Sequence, residues 1–152
     1  MKQFCTFYLG DLMLGVDVLE VQEVILYQDM TQVPLAHDSI KGLINLRGQI
    51  VTAIDLRERL NLPPSTSEEE QKNIVIQSGE EAVSLLVDEI GDVIEPSEDD
   101  FEDPPETIPE AAKEMIEGVY KLDKRLLLVL NSERTINITS DTSSNWLQTA
   151  AS

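Results

Sequence analysis

Apolar positions recur along this chain mostly at every second residue, in short runs that end at turn residues. "KQFCTFYL" and "LMLGVDVLEV" flank Gly10-Asp11, whose leading glycine suits the first central position of a type II′ turn and predicts a β-hairpin. The same pattern returns where "KNIVIQ" and "AVSLLVDEI" flank "SGEE", and again where "EGVYKL" and "LLLVL" flank "DKR". Runs this short with alternating polarity are strands rather than helices. The helical pattern is confined to "DLRERLNL", a short helical turn.

A repeat is visible without gaps. Ile40–Asp55, "IKGLINLRGQIVTAID", lies over Ile116–Asn131, "IEGVYKLDKRLLLVLN". Ile40 meets Ile116, Gly42 meets Gly118, Leu46 meets Leu122, and the apolar runs end in Asp55 and Asn131. Upstream, "LGVDVLEV" and "LLVDEIGDV" each follow a hairpin and each carry a Val-Asp pair. Alternation alone makes any two amphipathic hairpins resemble each other, so duplication into two strand-rich units is an expectation for the fold to test.

Polar stretches separate these units. "LPPSTSEEEQK" cannot supply an apolar face and reads as an exposed connector. "EPSEDDFEDPPETIPEAA" is expected to loop out of the second unit, and "SERTINITSDTSSNWLQTAAS" reads as a frayed polar tail, with Trp146 and Leu147 as the exception.

Composition narrows the class. With 152 residues, 41% of them hydrophobic and 5% aromatic, the chain suits one soluble domain or two small units sharing a core. No apolar run approaches the roughly 20 residues of a membrane span, and "MKQFCTFYLGD" lacks a signal-peptide pattern. A cytoplasmic protein is expected. Asn137–Thr139 form a glycosylation sequon that matters only in a secreted protein. The net charge of −18 repels phosphate backbones. Protein partners are favoured over nucleic acid, with an acidic nucleic-acid mimic as the minor alternative.

Chemistry is sparse. His37 is the one histidine and Cys5 the one cysteine, so a nucleophile–base pair would need a coincidence in space, and a cysteine zinc site or internal disulfide is excluded. "EPSEDDFED" lacks the spacing and central glycine of a calcium loop, and "SGEEAVS" is no phosphate cradle. No catalytic residue, cofactor or metal is predicted. Strand-rich proteins without a reactive centre commonly act by offering surfaces to partners.

Within "NLRG", Gly48 answers the needs of a turn, but Arg47 does not, because Asn, Asp or Lys would serve there. Arginine offers a rigid fork of donors that pairs with carboxylates, as an interface requires. "LGVDVLEVQEVI", "IKGLINLRGQIVTAIDLRERL", "SLLVDEIGDVI" and "EGVYKLDKRLLLVLN" together resemble the CheW family of chemotaxis coupling proteins, from about Gln3 to Asn131. The resemblance implies an all-β fold of two small five-stranded SH3-like barrels sharing an apolar core, with short helical turns. Residues 1–135 would form this domain, with intertwined subdomains of about 15–64 and the remainder, followed by a flexible tail at 136–152.

It implies a non-enzymatic adaptor that links the cytoplasmic tips of chemoreceptors to the regulatory domain of a CheA-type histidine kinase, in a flagellar, pilus or other chemosensory array. It implies a monomer in isolation, without membrane insertion. The positions that match the family's interface motifs are Val21, Glu23, Gly42, Arg47, Val93 and Gly118. A groove between the barrels would take the receptor tip, with Val21 and Val93 in apolar contact and Gly42 and Gly118 permitting close approach. Glu23 and Arg47 are expected to pair across the sheet and order that surface. The closing stretch departs from the apolar helix that members often carry, and the acidic loop is not required by the family pattern.

Overall fold

A computed structural model describes residues 2–26, 30–36, 38–63, 71–79 and 81–136. His37, most of the acidic connector, the sequon and the Trp146-Leu147 stretch lie outside the described residues.

Among the described residues eleven strands form two sheets. The first joins β3 (Val21–Leu26), β6 (Lys72–Ser78), β7 (Glu81–Val87), β5 (Gln49–Asp55) and β4 (Ile40–Leu46), in that spatial order. The second joins β8 (Glu89–Ile94), β1 (Phe4–Leu9), β2 (Leu12–Asp17), β11 (Leu126–Leu130), β10 (Ile116–Lys121) and β9 (Phe101–Glu102). One sheet is therefore built from the middle of the chain and the other from its two flanks. The hairpins read from alternation are all present: β1 with β2, β4 with β5, β6 with β7 and β10 with β11. Gly10 has φ 59°, the positive value that a type II′ turn needs.

The duplication extends to irregularities. β4 against β5 slips register between Ile40 and Gly42, and β10 against β11 slips between Ile116 and Gly118. β5 runs parallel to β7, as β11 does to β2. Asp55 Oδ1 accepts from the N–H of Arg57 and caps helix α1 (Leu56–Arg59). Asn131 Oδ1 accepts from the N–H of Arg134 at 2.8 Å and caps the helical turn 132–136. The residues that end both apolar runs thus do one job, satisfying the free N–H groups of a helix start.

Burial explains why several runs are apolar on consecutive residues. Cys5, Phe7 and Leu9 join Ile54, Ile74, Ile76 and Leu85 in a core fed by both sheets, while Phe4 packs with Met13, Tyr120, Leu127 and Val129 on the other face. A strand covered on both faces loses its polar alternation. One polar pair sits inside the first sheet, where Ser84 Oγ donates to Asn73 Oδ1 at 2.7 Å, so neither side chain is buried unsatisfied.

The acidic stretch is more ordered than a plain loop. It contains a 3-10 turn at Glu98–Asp100, the short strand β9 paired to β10, and helix α2 (Glu110–Lys113). Local composition concealed them because Phe101 is the single apolar anchor of β9, and its partners lie in a strand more than fifteen residues away. No helix among the described residues is long and apolar enough to cross a membrane.

Candidate functional site

Hairpin β4–β5 closes on Arg47-Gly48, between Leu46 and its partner Gln49. Arg47 has φ 51° and Gly48 φ 88°. Two consecutive positive φ values describe a type I′ turn, whose first position favours Asn, Asp or Gly. For an arginine the left-handed region costs roughly 1 kcal/mol. Asn45 Oδ1 accepts from the Gly48 N–H at 3.0 Å and steadies the loop.

The Arg47 guanidinium, 79% exposed, donates from Nη2 to Glu23 Oε2 at 2.5 Å. Glu23 lies on β3 and Arg47 follows β4, the two outermost strands of their sheet. Laid flat, those strands would stand roughly 19 Å apart at about 4.8 Å per step. The contact therefore requires the sheet to curl until its edges approach. Thr31, bridged to Leu43 by two backbone hydrogen bonds of 2.8 and 2.9 Å, closes the same gap. The pairing expected from the sequence is present.

Gly42 and Gly118 have near neighbours of their own. A Cβ at Gly42 would stand 2.8 Å from Met30 Cβ and 2.9 Å from the Thr31 carbonyl oxygen. At Gly118 it would stand 2.7 Å from Phe101 Cε1 and 2.8 Å from the Glu102 carbonyl oxygen. In both halves the chain crosses directly over the glycine, so the close approach read at these positions is met by the protein's own backbone. Gly91, on β8, is a third such residue: a Cβ there would meet Thr6 Oγ1 and come within 3.1 Å of Tyr8. Sequence reasoning passed over it, although a glycine inside a strand was the signal.

The two valines differ. Val21 is partly buried against the shared core, whereas Val93 on the edge strand β8 is 53% exposed. Glu23 and Arg47 form a pair, Gly42 lies farther back along β4, and Val93 and Gly118 belong to the other sheet. Ile50, 60% exposed and three residues beyond Arg47, was also missed. Its signal was an apolar residue beside a polar turn.

A second, more buried clasp joins the units. Arg57 in α1 donates from Nε and Nη2 to Asp88, and from Nη1 to the Pro63 carbonyl at 2.8 Å. Asp88 also accepts from the Gly10 N–H at 2.7 Å. Burial alone would raise the Asp88 carboxyl, but these hydrogen bonds outweigh it and hold the group below its ordinary value. The clasp ties the β1–β2 turn, α1 and the end of β7 together. Among the described residues no group of three histidines, cysteines or carboxylates could hold a metal ion.

Residues 3–139 match the CheW-like domain family. The chain is 32% identical over 136 residues to the chemotaxis protein CheW of Klebsiella aerogenes, covering 90% of this chain and 82% of that protein. It is 34% identical over 123 residues to the chemotaxis protein CheW of Bacillus subtilis, covering 81% and 79%. Its fold is similar to the crystal structure of the scaffolding protein TtCheW from Thermoanaerobacter tengcongensis, with a TM-score of 0.77, 27% identity and coverage of 86% and 88%.

Proposed function

The chain belongs to the CheW-like family, and from that membership we propose that it is a non-enzymatic chemotaxis scaffold. It couples the cytoplasmic tips of chemoreceptors to the regulatory domain of a CheA-type histidine kinase and works in the cytoplasm, in arrays held by those partners. The reading rests above all on the near full-length similarity to proteins named for chemotaxis, which spans both sheets. Residues 1–135 are assigned to the coupling domain and 136–152 to a polar C-terminal tail.

Energetics favour a role for Arg47 outside the fold. An ion pair as exposed as Arg47–Glu23 contributes at most about 1 kcal/mol, which no more than offsets the left-handed backbone beneath it. An asparagine would form the turn without that cost. Strain retained where stability does not need it is a mark of a functional position. Glu23 holds the guanidinium in one orientation while most of its surface stays in water, available to a carboxylate of a partner. Exposed Val93 supplies apolar contact on the other unit, and Val21 shapes the groove from its half-buried position.

The test is co-sedimentation of membranes or vesicles bearing receptor signalling fragments with kinase and this protein. Arg47→Glu is expected to melt within a few degrees of wild type while cutting kinase recruitment at least tenfold, because it sets two carboxylates against each other at a contact surface. Undiminished recruitment would remove Arg47 from the interface. Failure of the wild-type protein to recruit any kinase would overturn the adaptor reading itself.

A further inference from the structure

Beside the six-stranded sheet lies a cavity of about 330 Å³ lined by Phe4, Tyr120 and Phe101, by the carboxylates Glu98 and Glu117, and by Lys2, so that acids outnumber the base two to one. The rings follow one another in tilted contact. Phe4 and Tyr120 have centroids 5.5 Å apart, and Tyr120 and Phe101 have centroids 4.9 Å apart at an interplanar angle of 58°. Phe4 and Tyr120 are buried, but Phe101 is 42% exposed. Its ring is held over Gly118, where a Cβ would collide with it. One aromatic surface is thereby fixed in place and left open to water.

We propose that this cavity binds an arginine side chain presented by a basic segment of a protein partner. An aromatic face attracts a cation through its quadrupole, and the planar guanidinium both stacks on such a face and pairs with carboxylates. Among the described residues neither Glu98 nor Glu117 has a basic ion-pair partner. The Glu117 carboxylate accepts one hydrogen bond, from Asn131 Nδ2 at 2.8 Å, which fixes its direction and leaves its second oxygen for a ligand. A neutral apolar side chain would strip water from two carboxylates without return. An anion is excluded by the same groups and by a net charge of −18. Residues 95–106 carry seven carboxylates and no cation, a local field that steers a basic segment toward the cavity. The volume suits one long side chain rather than a folded element. This site is separate from the Glu23–Arg47 surface and holds whether or not the coupling role does.

The experiment is a titration of the full chain, labelled with nitrogen-15, with the tripeptide amide Gly-Arg-Gly, using its citrulline analogue as the uncharged isostere. Arginine is expected to shift the amides of Phe101, Gly118 and Tyr120 saturably, and citrulline to leave them in place. Phe101→Leu keeps the charge and the apolar cover but removes the quadrupole, and should weaken binding about three- to fivefold. Glu98→Gln combined with Glu117→Gln should weaken it further, and both variants are checked by thermal melting. If Phe101→Leu melts early, the glutamine pair alone decides. Shifts spread over every acidic surface and indifferent to both variants would mean diffuse attraction and overturn the site, as would equal binding of citrulline.

Discussion

In the proposed role Arg47 answers to the fold, through Glu23, and to a partner at once. Its φ of 51° makes the expected stability changes run against intuition. Arg47→Asn should preserve or raise the melting temperature, since asparagine tolerates the left-handed region and the lost ion pair is exposed, yet recruitment of kinase should fall as it does for Arg47→Glu. A melting temperature lowered by more than a few degrees would show that the Glu23 clasp stabilises the first sheet more than its exposure suggests. Gly42 sits on the opposite side of that balance. With the Thr31 carbonyl oxygen 2.9 Å from any added Cβ, Gly42→Asp should cost several kcal/mol, because backbone must move and a carboxylate is pressed against a carbonyl. Thermal melting reads this before any binding assay. A Gly42→Asp protein that melted like wild type and lost only receptor binding would restore the view of Gly42 as a contact residue. The need for glycine at 42 and 118 was visible from the sequence, but what presses on each was not. Met30 and Phe101 lie in stretches whose composition does not announce a crossing strand.

At the scale of elements, alternation located the four hairpins of the described residues, and the aligned ends Asp55 and Asn131 proved to be matching helix caps. Sheet membership was beyond such reading. The parallel pairings β5–β7 and β2–β11 join strands that are distant or reordered in sequence, and they are chosen by burial on both faces rather than by any local pattern. The Arg57–Asp88 clasp fastens the outcome, and it gives acid sensitivity a definite sign. Asp88 is held below its ordinary value in the fold, so its contribution is complete above the unfolded carboxylate pKa and is lost as pH falls through the folded one. Wild-type stability should therefore decline below about pH 4. Asp88→Asn should cost about 2 kcal/mol near neutrality, by leaving Arg57 short of its charged partner, and should flatten that decline. Denaturant melts at several pH values measure both effects. Parallel pH profiles for the two proteins would mean that the clasp is not what acid breaks.

For the whole molecule the governing quantity is a charge of −18 spread over 152 residues. Like charges held in a compact body repel, and salt relieves that repulsion within a Debye length of roughly 10 Å at 0.1 M. The melting temperature is accordingly expected to rise between low salt and about 0.5 M. The same field opposes self-association. The exposed large apolar residues Leu12, Leu19, Val24, Leu26, Leu35, Ile50, Val93, Phe101 and Leu126 are divided between the two sheets and their connections, with only local neighbours such as Leu12 and Leu126 lining one groove, and self-association would need a larger contiguous apolar patch. We therefore expect a monomer by sedimentation velocity at micromolar concentration, in low and in high salt alike. Monomer at both salts fits the proposed array role, in which assembly depends on many weak contacts multiplied across partners. Dimers appearing only at high salt would show instead that charge masks a self-complementary face, and the array would then be built from copies of this chain as well as from its partners.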